Sequence, residues 1–459
     1  MNEADIKQIL DKQHEFFAAG LTLNVDYRLA ALERLRDSIK THEKDIEKAL
    51  IADMGKSAYE GYICETGLAL SKLRYICRHL KSWAGEKRVH TSLVNFPSES
   101  KTVQEPYGTV LIMAPWNYPI LLSLEPLIGA VAAGNTAIVK PSQYAPESMK
   151  ILKTVVEEAF DPSYAAVICG GRAENGILLE QKFDYIFFTG SVAVGKLVME
   201  KAAKHLTPVT LELGGKSPVI VDKSADIKLA AKRVAFGKIV NCGQTCIAPD
   251  YVLVEESVKD EFIKRYARAV KRMLGAKPLK NKNYGRIINK KHYDRLCGLM
   301  QSENIVLGGE RDDEKLRIAP TVIDGVDANA PIMNQEIFGP ILPVMTFKDI
   351  GEAKQFVVSR QKPLACYVFT NDKAVEKLFT QTVSFGGGCI NDTINHIVSD
   401  SYGFGGVGES GMGSYHGKKS FDTFSHEKSI LKKSQHIDIP LRYHPYRKIY
   451  EPIVRLLLR

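Results

Sequence analysis

Tyr107-Gly108-Thr109-Val110-Leu111-Ile112-Met113 is a short apolar segment, and a helical pattern follows it from about Pro119 to Ala133. Strands that are buried on both faces have such unbroken apolar runs, whereas strands with one wet face alternate. The pattern recurs downstream, with predicted strands over residues 136–140, 164–169 and 184–188 and a helix from about residue 146. Short apolar strands that alternate with helices favour a parallel sheet covered on both faces. This stretch therefore predicts a doubly wound α/β unit.

A second α/β run begins near Leu211. Its predicted strands cover residues 218–221, 251–254, 340–347 and 364–369, with helices between them. Ahead of the first unit, residues 26–84 are charged and helical in period, and residues 87–104 read as an extended excursion or a hairpin. The two α/β runs and the extended segment at residues 87–104 predict three structural units.

The composition is that of a globular protein: of 459 residues, 45% are apolar and 25% are charged. These fractions exclude disorder, collagen and a small disulfide scaffold. The net charge of +9 raises the question of a nucleic-acid partner, but seven basic residues against two acidic ones lie in 431–459. The rest of the chain is almost neutral and contains no nucleic-acid recognition module. We therefore expect no nucleic-acid partner.

The basic tail ends in Tyr450-Glu-Pro-Ile-Val-Arg-Leu-Leu-Leu-Arg459, which alternates apolar residues with arginine. Such a segment can lie on an anionic membrane surface, although it is far too short to span a bilayer. It can also pack over the body of the protein or over a partner subunit. The tail pattern alone does not choose between these.

The eight cysteines are scattered, the N-terminus is polar and acidic, and no apolar run reaches the length of a bilayer-spanning helix. This pattern predicts reduced thiols in the cytoplasm and not a disulfide framework. Cys242 and Cys246 have neither a zinc-binding spacing nor a nearby pair of histidines. We therefore expect no metal site.

Gly190-Ser-Val-Ala-Val-Gly-Lys-Leu197 follows a predicted strand and begins a helix. It matches the phosphate-binding P-loop pattern except at Leu197, which has no hydroxyl for a metal ion. A glycine turn that delivers a helix N-terminus is still a site for a cofactor's phosphates. The segment predicts nucleotide binding, with a plain tight turn as the alternative.

The overlapping GxGxxG matches in Gly403–Gly411 lack a strand–helix frame and predict a loop.

The strongest candidate nucleophile is Cys246, in Asn241-Cys-Gly-Gln-Thr-Cys-Ile-Ala-Pro249. It lies just past a predicted helix among small residues, where backbone N–H groups can stabilise a thiolate. A small buried cysteine is the alternative interpretation. Cys242 is either an inert neighbour or the partner of Cys246 in an oxidative bridge.

Glu212 lies between two leucines in Leu211-Glu-Leu-Gly-Gly-Lys216. Burial there would raise the pKa of the carboxyl group toward neutrality, as a general base needs. The residue could instead pair with Lys216 at the surface. Its spacing after the glycine turn also allows it to bind a ribose hydroxyl. Periodicity does not decide among the three.

Pro115-Trp-Asn-Tyr-Pro119 follows the first strand of the sheet, at the end where doubly wound sheets bind ligands. The two prolines fix the turn and aim the amide of Asn117. This amide is either a functional donor or a structural one that satisfies the turn.

Seven segments together resemble the aldehyde dehydrogenase superfamily, and most closely its class 3 branch, which acts on fatty and aromatic aldehydes. They run in the family's order from about Tyr107 to His426. The block from Gly405 to His426 is particularly similar to class 3. The segments cover residues 115–119, 140–142, 188–191, 211–218, 243–250, 336–340 and 405–426.

The resemblance implies a role for each candidate. Cys246 would add to the aldehyde carbon, and the Asn117 amide with the backbone N–H of Cys246 would hold the oxyanion. Glu212 would activate the water that releases the acid from a thioester. Lys140 and Glu336 would bind the ribose hydroxyls of NAD or NADP. Further cofactor contacts are implied for Trp116, Gln143, Gly190, Ser191, Gly195 and Phe338.

Gln143 departs from the family's pattern, in which Lys-Pro-Ser is commonly followed by glutamate. A glutamate would repel the 2′-phosphate of NADP⁺, whereas glutamine accepts a hydrogen bond from a free hydroxyl without that repulsion. We therefore predict that NADP⁺ is used alongside NAD⁺.

The resemblance also divides the chain. Residues 1–86 and 105–210 would form a Rossmann-like NAD(P)-binding domain, and residues 211–400 the catalytic α/β domain. Residues 87–104 and 401–430 would form the bridging element of a homodimer, followed by the basic tail at 431–459. Because class 3 tails vary, packing of the tail on the body or partner is favoured over weak peripheral membrane contact.

Class 3 members act on medium- or long-chain aliphatic and aromatic aldehydes, and Tyr118 with Asn391–Ile397 supplies apolar and aromatic groups here.

Three other functions remain as alternatives. Glu212 argues against a CoA-acylating or acyl-phosphate-reducing relative, which needs no water-activating base. Leu197 argues against a P-loop hydrolase. A non-catalytic protein on the same scaffold predicts no NAD(P)H signal with hexanal or benzaldehyde.

Overall fold

Helices form the N-terminal part of the computed structural model, which describes residues 1–458. Asn2 and Asn24 cap the first two helices, because their side-chain oxygens accept from backbone N–H groups of the first turn. The helical period predicted over residues 26–84 is confirmed. The helices are α1 Glu3–Ala18, α2 Val25–Thr41, α3 Glu43–Met54, α4 Ala58–Gly61 and α5 Gly67–Ala84, with a π-helical turn over Tyr62–Thr66.

The chain then forms two antiparallel strands, β1 Lys87–Val89 and β2 Ser98–Pro106. The extended excursion predicted over residues 87–104 is confirmed as a strand pair, and β2 continues two residues beyond its predicted end.

The first α/β unit is a parallel sheet with helices between its strands, as the sequence predicts. Its five parallel strands lie in the order β7-β6-β3-β4-β5, so the winding reverses between β3 and β6. A crevice opens at such a reversal, outside the carboxyl ends of the strands. The elements are β3 Thr109–Met113, α6 Leu121–Ala133, β4 Thr136–Lys140, α7 Pro146–Ala159, β5 Ala165–Val167, α8 Arg172–Glu180, β6 Tyr185–Thr189, α9 Val192–Ala203 and β7 Val209–Glu212.

The second α/β unit contains a seven-stranded sheet in the order β10-β13-β14-β9-β8-β15-β16, in which only β10 is antiparallel. The predicted boundary at residue 211 falls inside β7, which belongs to the first sheet. The elements are β8 Pro218–Val221, α10 Ile227–Ile239, β9 Tyr251–Glu255, α11 Lys259–Leu274, α12 Lys290–Leu299, β10 Ile305–Leu307, β11 Arg311–Asp312, β12 Arg317–Ile318, β13 Thr321–Asp324, β14 Ile341–Phe347, α13 Ile350–Val358, β15 Ala365–Phe369, α14 Lys373–Thr382 and β16 Gly387–Ile390.

The chain returns to the first unit near its end. Strand β17 Gly411–Met412 joins the edge of the first sheet beside β7, and α15 Lys418–Thr423 packs against α6. Strand β18 Ser425–Lys433 then pairs antiparallel with the whole length of β2. The sequence predicts a loop over residues 403–413, and all of it except β17 and a short 3₁₀ turn is irregular.

The basic tail begins in β18, whose last residues pair with β2, and the Ser434 N–H donates to the Pro97 carbonyl. Further on, the short helix α16 Glu451–Leu457 leaves apolar side chains in solvent, and Leu456 is 75% exposed. The packing of the tail on the body or on a partner subunit stays a prediction. Among residues 1–458, no helix combines the length and the apolar character needed to cross a bilayer.

Candidate active site

The crevice at the strand-order reversal contains the predicted site residues. Pro115–Asn117 follow β3, Gly190 and Ser191 follow β6, and Glu212 ends β7, so three neighbouring strands deliver them to one edge of the sheet. A cavity of about 290 Å³, here called the crevice cavity, lies between this edge and the second unit. Its lining includes Trp116, Asn117, Thr189, Gly190, Ser191, Glu212, Cys246, His292, Arg295, Glu336 and Phe338.

A second cavity of about 280 Å³, here called the apolar cavity, lies on the other side of Cys246. Cys246 and Leu122 line both cavities, so the sulfur stands at their junction. Tyr118 and the predicted segment around residues 391–397 contribute to its walls. The lining includes Ile63, Leu68, Tyr118, Leu121, Phe236, Val240, Ile394, Ile397, Val398, Phe404 and Tyr415, with the polar residues Lys72, Glu125 and His416.

The loop that carries Cys246 is held by its own side chains. Helix α10 ends at Ile239, and Asn241 and Cys242 then adopt left-handed backbone conformations with φ of 51° and 54°. The Gln244 side chain donates to the Arg286 carbonyl and accepts from the Ile288 N–H, which ties the loop to the second unit. Such backbone strain persists only where surrounding contacts fix it.

Burial dominates the chemistry of Cys246. It raises the pKa of the thiol far above its ordinary value, and the charges of Glu336 and Glu212 raise it further. The backbone N–H groups of Cys246 and Ile247 lower the pKa, as the sequence predicts, but by less. Burial therefore favours the neutral thiol, whereas the backbone N–H groups of the loop favour the thiolate, as the sequence predicts.

Asn117 is fixed on the loop after β3. Its backbone carbonyl accepts from Lys56 Nζ at 3.2 Å and from Asn241 Nδ2 at 2.9 Å. Its side-chain Nδ2 donates to the Gln244 carbonyl at 3.1 Å. Because Nδ2 carries two hydrogens, this bond orients the amide and leaves a second donor for a ligand.

Glu212 is a buried carboxyl group without a hydrogen-bond partner on either oxygen. Burial raises its pKa well above the ordinary value, and the charge of Glu125 raises it further. The surface ion pair that the sequence allowed with Lys216 is absent among the described residues, because Lys216 instead pairs with Asp250. The Gly405 backbone passes so close that a Cβ there would lie 3.2 Å from Glu212 Oε1.

The crevice cavity has features that fit a dinucleotide. Glu336 Oε1 is buried and accepts no hydrogen bond, so a hydroxyl donor would satisfy it. Phe338 and Trp116 meet edge to face with ring centroids 5.4 Å apart and form an aromatic wall. Gly190 and Ser191 precede the free N–H groups of α9, where a phosphate is stabilised. The residues present therefore fit NAD or NADP.

Three predicted cofactor residues lie outside the lining of this cavity. Lys140, at the end of β4, donates to the carbonyls of Pro141 and Gly170 at 2.8 and 2.7 Å. Gln143 lies beside Gly171, in the segment that follows β4. Gly195 is buried inside α9, where a Cβ would lie 2.6 Å from Leu213 Cδ2. Gly195 thus packs closely against Leu213, and its contact with the cofactor stays a prediction.

Two residues that the sequence did not suggest complete the crevice cavity. His292 and Arg295 lie in the first turns of α12 and line the cavity opposite the first sheet. Arg295 donates to the carbonyls of Glu336 and Ile337, so it holds the segment that carries Glu336. Their i, i+3 spacing was the only local signal, and it occurs on many surface helices.

Cys242 lies outside the site, and its thiol is free like those of the other cysteines. Cys242 is buried beside Tyr284 and lines neither cavity. The thiols of Cys242 and Cys246 are free, as are those of the other six cysteines. The part of the chain that the structure describes contains no cluster of three or more metal-ligating side chains.

Comparisons with known proteins agree with this geometry. The model described as "Aldehyde dehydrogenase family" matches residues 1–430. A 4,4'-diaponeurosporen-aldehyde dehydrogenase of Staphylococcus aureus is 47% identical over 96% of this chain and 97% of its own. A dog protein called "Aldehyde dehydrogenase, dimeric NADP-preferring" is 43% identical over 93% of this chain and 94% of its own. A solved Staphylococcus aureus AldH structure in a substrate-bound state has a TM-score of 0.97 at 46% identity, covering 98% of this chain and 99% of that one.

Proposed function

Because the chain belongs to the aldehyde dehydrogenase family and is an NAD(P)-dependent enzyme that oxidises aldehydes, we propose that Cys246, Glu212 and Asn117 carry out this oxidation. One observation supports the proposal above the others. The sulfur of Cys246 stands where the crevice cavity, which fits a dinucleotide, meets the apolar cavity, which fits a hydrocarbon. An aldehyde carbon held at the sulfur would face the cofactor on one side and keep its chain on the other.

The first step is addition of the Cys246 sulfur to the aldehyde carbon. The thiol gives its proton to water in the crevice cavity as the sulfur attacks, and the backbone N–H groups of Cys246 and Ile247 stabilise the thiolate that forms. The carbonyl oxygen becomes an oxyanion, which accepts from the second hydrogen of Asn117 Nδ2 and from the backbone N–H of Cys246. One such donor stabilises the transition state by about 3–4 kcal/mol.

The second step converts the adduct on Cys246 into a thioester and then into the acid. When bound, NAD(P)⁺ supplies the hydride acceptor for this oxidation. Glu212 then takes a proton from water, the hydroxide attacks the thioester carbonyl, and the C–S bond breaks to give the carboxylate and the neutral thiol, while Glu212 keeps the water proton until it passes to solvent. A carboxyl group with a raised pKa suits this task because it holds the proton it removes.

Cofactor binding falls to residues on both sides of the crevice. Glu336 and Lys140 would accept and donate at the ribose hydroxyls, and Phe338 with Trp116 would contact the nicotinamide end. Gly190 and Ser191 at the start of α9 would bind the pyrophosphate. Gln143 would lie near the 2′ position and tolerate a phosphate there, which supports use of NADP⁺ alongside NAD⁺.

The substrates are proposed to be medium- or long-chain aliphatic or aromatic aldehydes. The apolar cavity is walled mostly by leucine, isoleucine, valine and aromatic side chains. Burying one methylene group there stabilises the complex by about 0.8 kcal/mol, so longer chains bind more tightly. The Staphylococcus aureus relative that acts on 4,4'-diaponeurosporen-aldehyde supports an apolar substrate.

The test is NAD(P)H formation by the purified full-length chain with hexanal and benzaldehyde. The wild-type protein is expected to reduce both NAD⁺ and NADP⁺, and Cys246→Ala to lose at least about 10⁴-fold in kcat. Cys242→Ala is the matched control and should keep most of the activity, because Cys242 lines neither cavity. Retained activity in Cys246→Ala would show that another group is the nucleophile.

Two domains and a bridging element are proposed for the chain. The connection between β1 and β2 leaves Leu93 and Phe96 73% and 58% exposed, and the edge strand β18 leaves Ile430 and Leu431 exposed. An exposed apolar patch on a sheet edge is typical of a subunit interface, so this element is proposed to join two copies into a homodimer. Light scattering should give a dimer for the wild-type protein and a monomer for Leu93→Asp with Phe96→Asp. A wild-type monomer would contradict the homodimer.

The tail after Lys433 is proposed to contact either the partner subunit or, weakly, an anionic membrane surface. Ile449, Ile453 and Leu456 are exposed beside basic residues, which is the composition of a peripheral membrane segment. Co-sedimentation with anionic liposomes separates the two. The full chain should pellet more than a version ending at Lys433 if the membrane is the partner, and equal pelleting removes that idea.

The compartment is proposed to be the cytoplasm, or another reducing compartment. Support comes from eight free cysteines, one of which is the proposed nucleophile. Incubation with oxidised glutathione should then inactivate the enzyme and dithiothreitol should restore it. Unchanged activity in oxidised glutathione would remove this support.

A further inference from the structure

A fully buried ion pair supports the loop after β3, and the steps above do not use it. Lys56 follows α3 and Glu65 lies in the π-helical turn; their Nζ and Oε1 atoms are 2.6 Å apart, and neither side chain is exposed to solvent. The other carboxylate oxygen of Glu65 accepts from the backbone N–H groups of Ile120 at 2.8 Å and Leu121 at 3.4 Å. The pair therefore fixes the end of this loop and the start of α6.

Lys56 also contacts the residue proposed to hold the oxyanion. Its Nζ donates to the backbone carbonyl of Asn117 at 3.2 Å and lies 4.3 Å from the centroid of the Tyr118 ring. The Tyr118 hydroxyl lies 2.6 Å from the Oγ1 atom of Thr245, the residue that precedes Cys246. One buried ammonium group therefore contacts both the main chain of Asn117 and a ring that reaches the nucleophile loop.

The nucleophile loop is attached to the same helical region. Glu60 on α4 accepts from the backbone N–H of Asn241 at 2.8 Å. The Asn241 side chain donates to the Asn117 carbonyl at 2.9 Å and to the Gln244 carbonyl at 3.0 Å, and the second of these carbonyls also accepts from Asn117 Nδ2. The main chain of Asn117 is thus held by two donors, Lys56 and Asn241.

Stability alone does not explain a buried pair of charges. Taking both charges out of water is costly, and replacing a buried ion pair by uncharged side chains of similar volume is often neutral or stabilising. What the pair provides is a fixed position for the main chain that it contacts. An oxyanion donor requires such a position, because a displacement of about 1 Å in a site can lower the rate by about 10²-fold.

We propose that Lys56 and Glu65 are positioning residues for the oxyanion. They fix the main chain of residues 117–121, so that the second hydrogen of Asn117 Nδ2 meets the aldehyde oxygen at the Cys246 sulfur. Neither side chain lines the crevice cavity or the apolar cavity, so both act through Asn117 and not on the substrate or the cofactor. Their role rests on the proposed role of Asn117.

The test uses the full-length chain with hexanal and NAD⁺. Lys56→Met together with Glu65→Gln removes both charges and leaves neither partner as an unpaired buried charge, so the fold should be retained. This double variant should lower kcat/KM for hexanal and the stopped-flow rate of the first NADH burst by about tenfold. Its affinity for NADH, measured by fluorescence titration, should be unchanged.

A double-mutant cycle separates positioning from general support of the fold. In the Asn117→Ala background, the same two substitutions should lower kcat/KM by less than about twofold, because the donor that they position is already absent. A purely structural role would lower kcat/KM by about tenfold in both backgrounds.

Glu65→Gln alone decides the question if the double variant does not fold. It keeps an acceptor for the Ile120 N–H and removes the charge that holds Lys56, so kcat/KM should fall by about threefold. In the Asn117→Ala background it should cause little further loss.

Asp53→Asn is the matched control for Glu65→Gln. Asp53 is a buried acid that accepts from the backbone N–H groups of Glu147 and Ser148 at the start of α7, and it lines neither cavity. The substitution should leave kcat/KM and the burst rate unchanged.

Unchanged kcat/KM and burst rate in both variants would overturn the positioning role, and so would an equal loss in the wild-type and Asn117→Ala backgrounds. A loss of NADH affinity with an intact burst would place the pair in cofactor binding and overturn that role as well. Failure of the proposed function looks different, because Asn117→Ala alone would then keep the wild-type kcat/KM, whatever the variants of the ion pair do.

Discussion

The two cavities that meet at Cys246 have almost the same volume, about 290 and 280 Å³, but different walls. The crevice cavity is built from strand ends, a helix N-terminus and an unsatisfied carboxyl oxygen. The apolar cavity is built from helices α5, α6 and α10, the π-helical turn and irregular segments, most of which contribute hydrocarbon side chains. The volumes therefore do not distinguish the proposed dinucleotide site from the proposed aldehyde site, whereas the chemistry of the cavity walls does.

The buried carboxyl groups of the two cavities also differ, in whether an oppositely charged group of the protein lies beside them. Glu336 in the crevice has its pKa raised to about 8 by burial and by Asp250, and one oxygen is without a donor, so it is ready for a ligand hydroxyl. Glu125 in the apolar cavity instead has Lys72 nearby. One cavity keeps a polar group free for a ligand, whereas the other connects its polar group to the protein's own charges.

After the loss of the nucleophile itself, the largest effect is expected at the base in the crevice cavity. Glu212→Gln should keep the first burst of NADH, because Cys246 still forms the thioester, and lower steady-state kcat by about 10²–10⁴-fold. Stopped-flow absorbance separates the two phases. If burst and steady state fell together, Glu212 would not be specific to hydrolysis.

The same variant has a pH signature. Only the ionised Glu212 accepts a proton, and burial raises its pKa, so wild-type kcat should rise with pH until that raised pKa is passed and level off above it. Glu212→Gln should lose this rise. A rise of equal size in both proteins would assign it to another group.

The next effect concerns the oxyanion at the junction. Asn117→Ala should lower kcat/KM by about 10²–10³-fold, because one donor to the oxyanion is lost. The binding of NADH, measured by fluorescence titration, should be nearly unchanged. A large loss of NADH affinity with intact kcat would instead place Asn117 in cofactor binding.

A smaller effect is expected on the crevice side alone. Gln143→Glu should lower kcat/KM with NADP⁺ by about tenfold, since a carboxylate repels the 2′-phosphate, and leave NAD⁺ nearly unchanged. Parallel assays with both cofactors measure the ratio. An equal change for both would remove Gln143 from the 2′ site.

The smallest effect is expected on the apolar side alone. Ile397→Ala removes hydrocarbon from the wall and should lower kcat/KM for decanal by about fivefold, corresponding to about 1 kcal/mol of lost burial. Propanal and the KM for NAD⁺ should change little. A raised KM for NAD⁺ would show that the two cavities are not independent.

Features that are local in sequence could be predicted from the sequence. The apolar runs at β3, β4 and β6 reveal the parallel sheet, because strands buried on both faces carry no polar alternation. Asn117, Gly190 and Glu212 lie at the carboxyl ends of neighbouring parallel strands, so their positions next to predicted strands bring them to one edge of the sheet. The resemblance to a family then placed Cys246 and Glu336, which come from the other α/β unit, in the same site.

Features that depend on distant residues could not be predicted in this way. Lys72, Glu125, Asp400 and His416 come from four separate segments, and no local pattern links them. The pKa of Cys246 depends on how completely the fold buries the thiol, which a local pattern does not show. The close packing of Gly195 against Leu213 likewise depends on a residue of another segment.

The most direct test of the central claim is to trap the covalent intermediate on its residue. Glu212→Gln is mixed with decanal and NAD⁺, quenched in acid, digested and analysed by mass spectrometry. The account predicts a decanoyl group on the peptide that contains Cys246, on Cys246 and not on Cys242, and no adduct without NAD⁺. An unmodified Cys246, or a decanoyl group on any other residue, would contradict it.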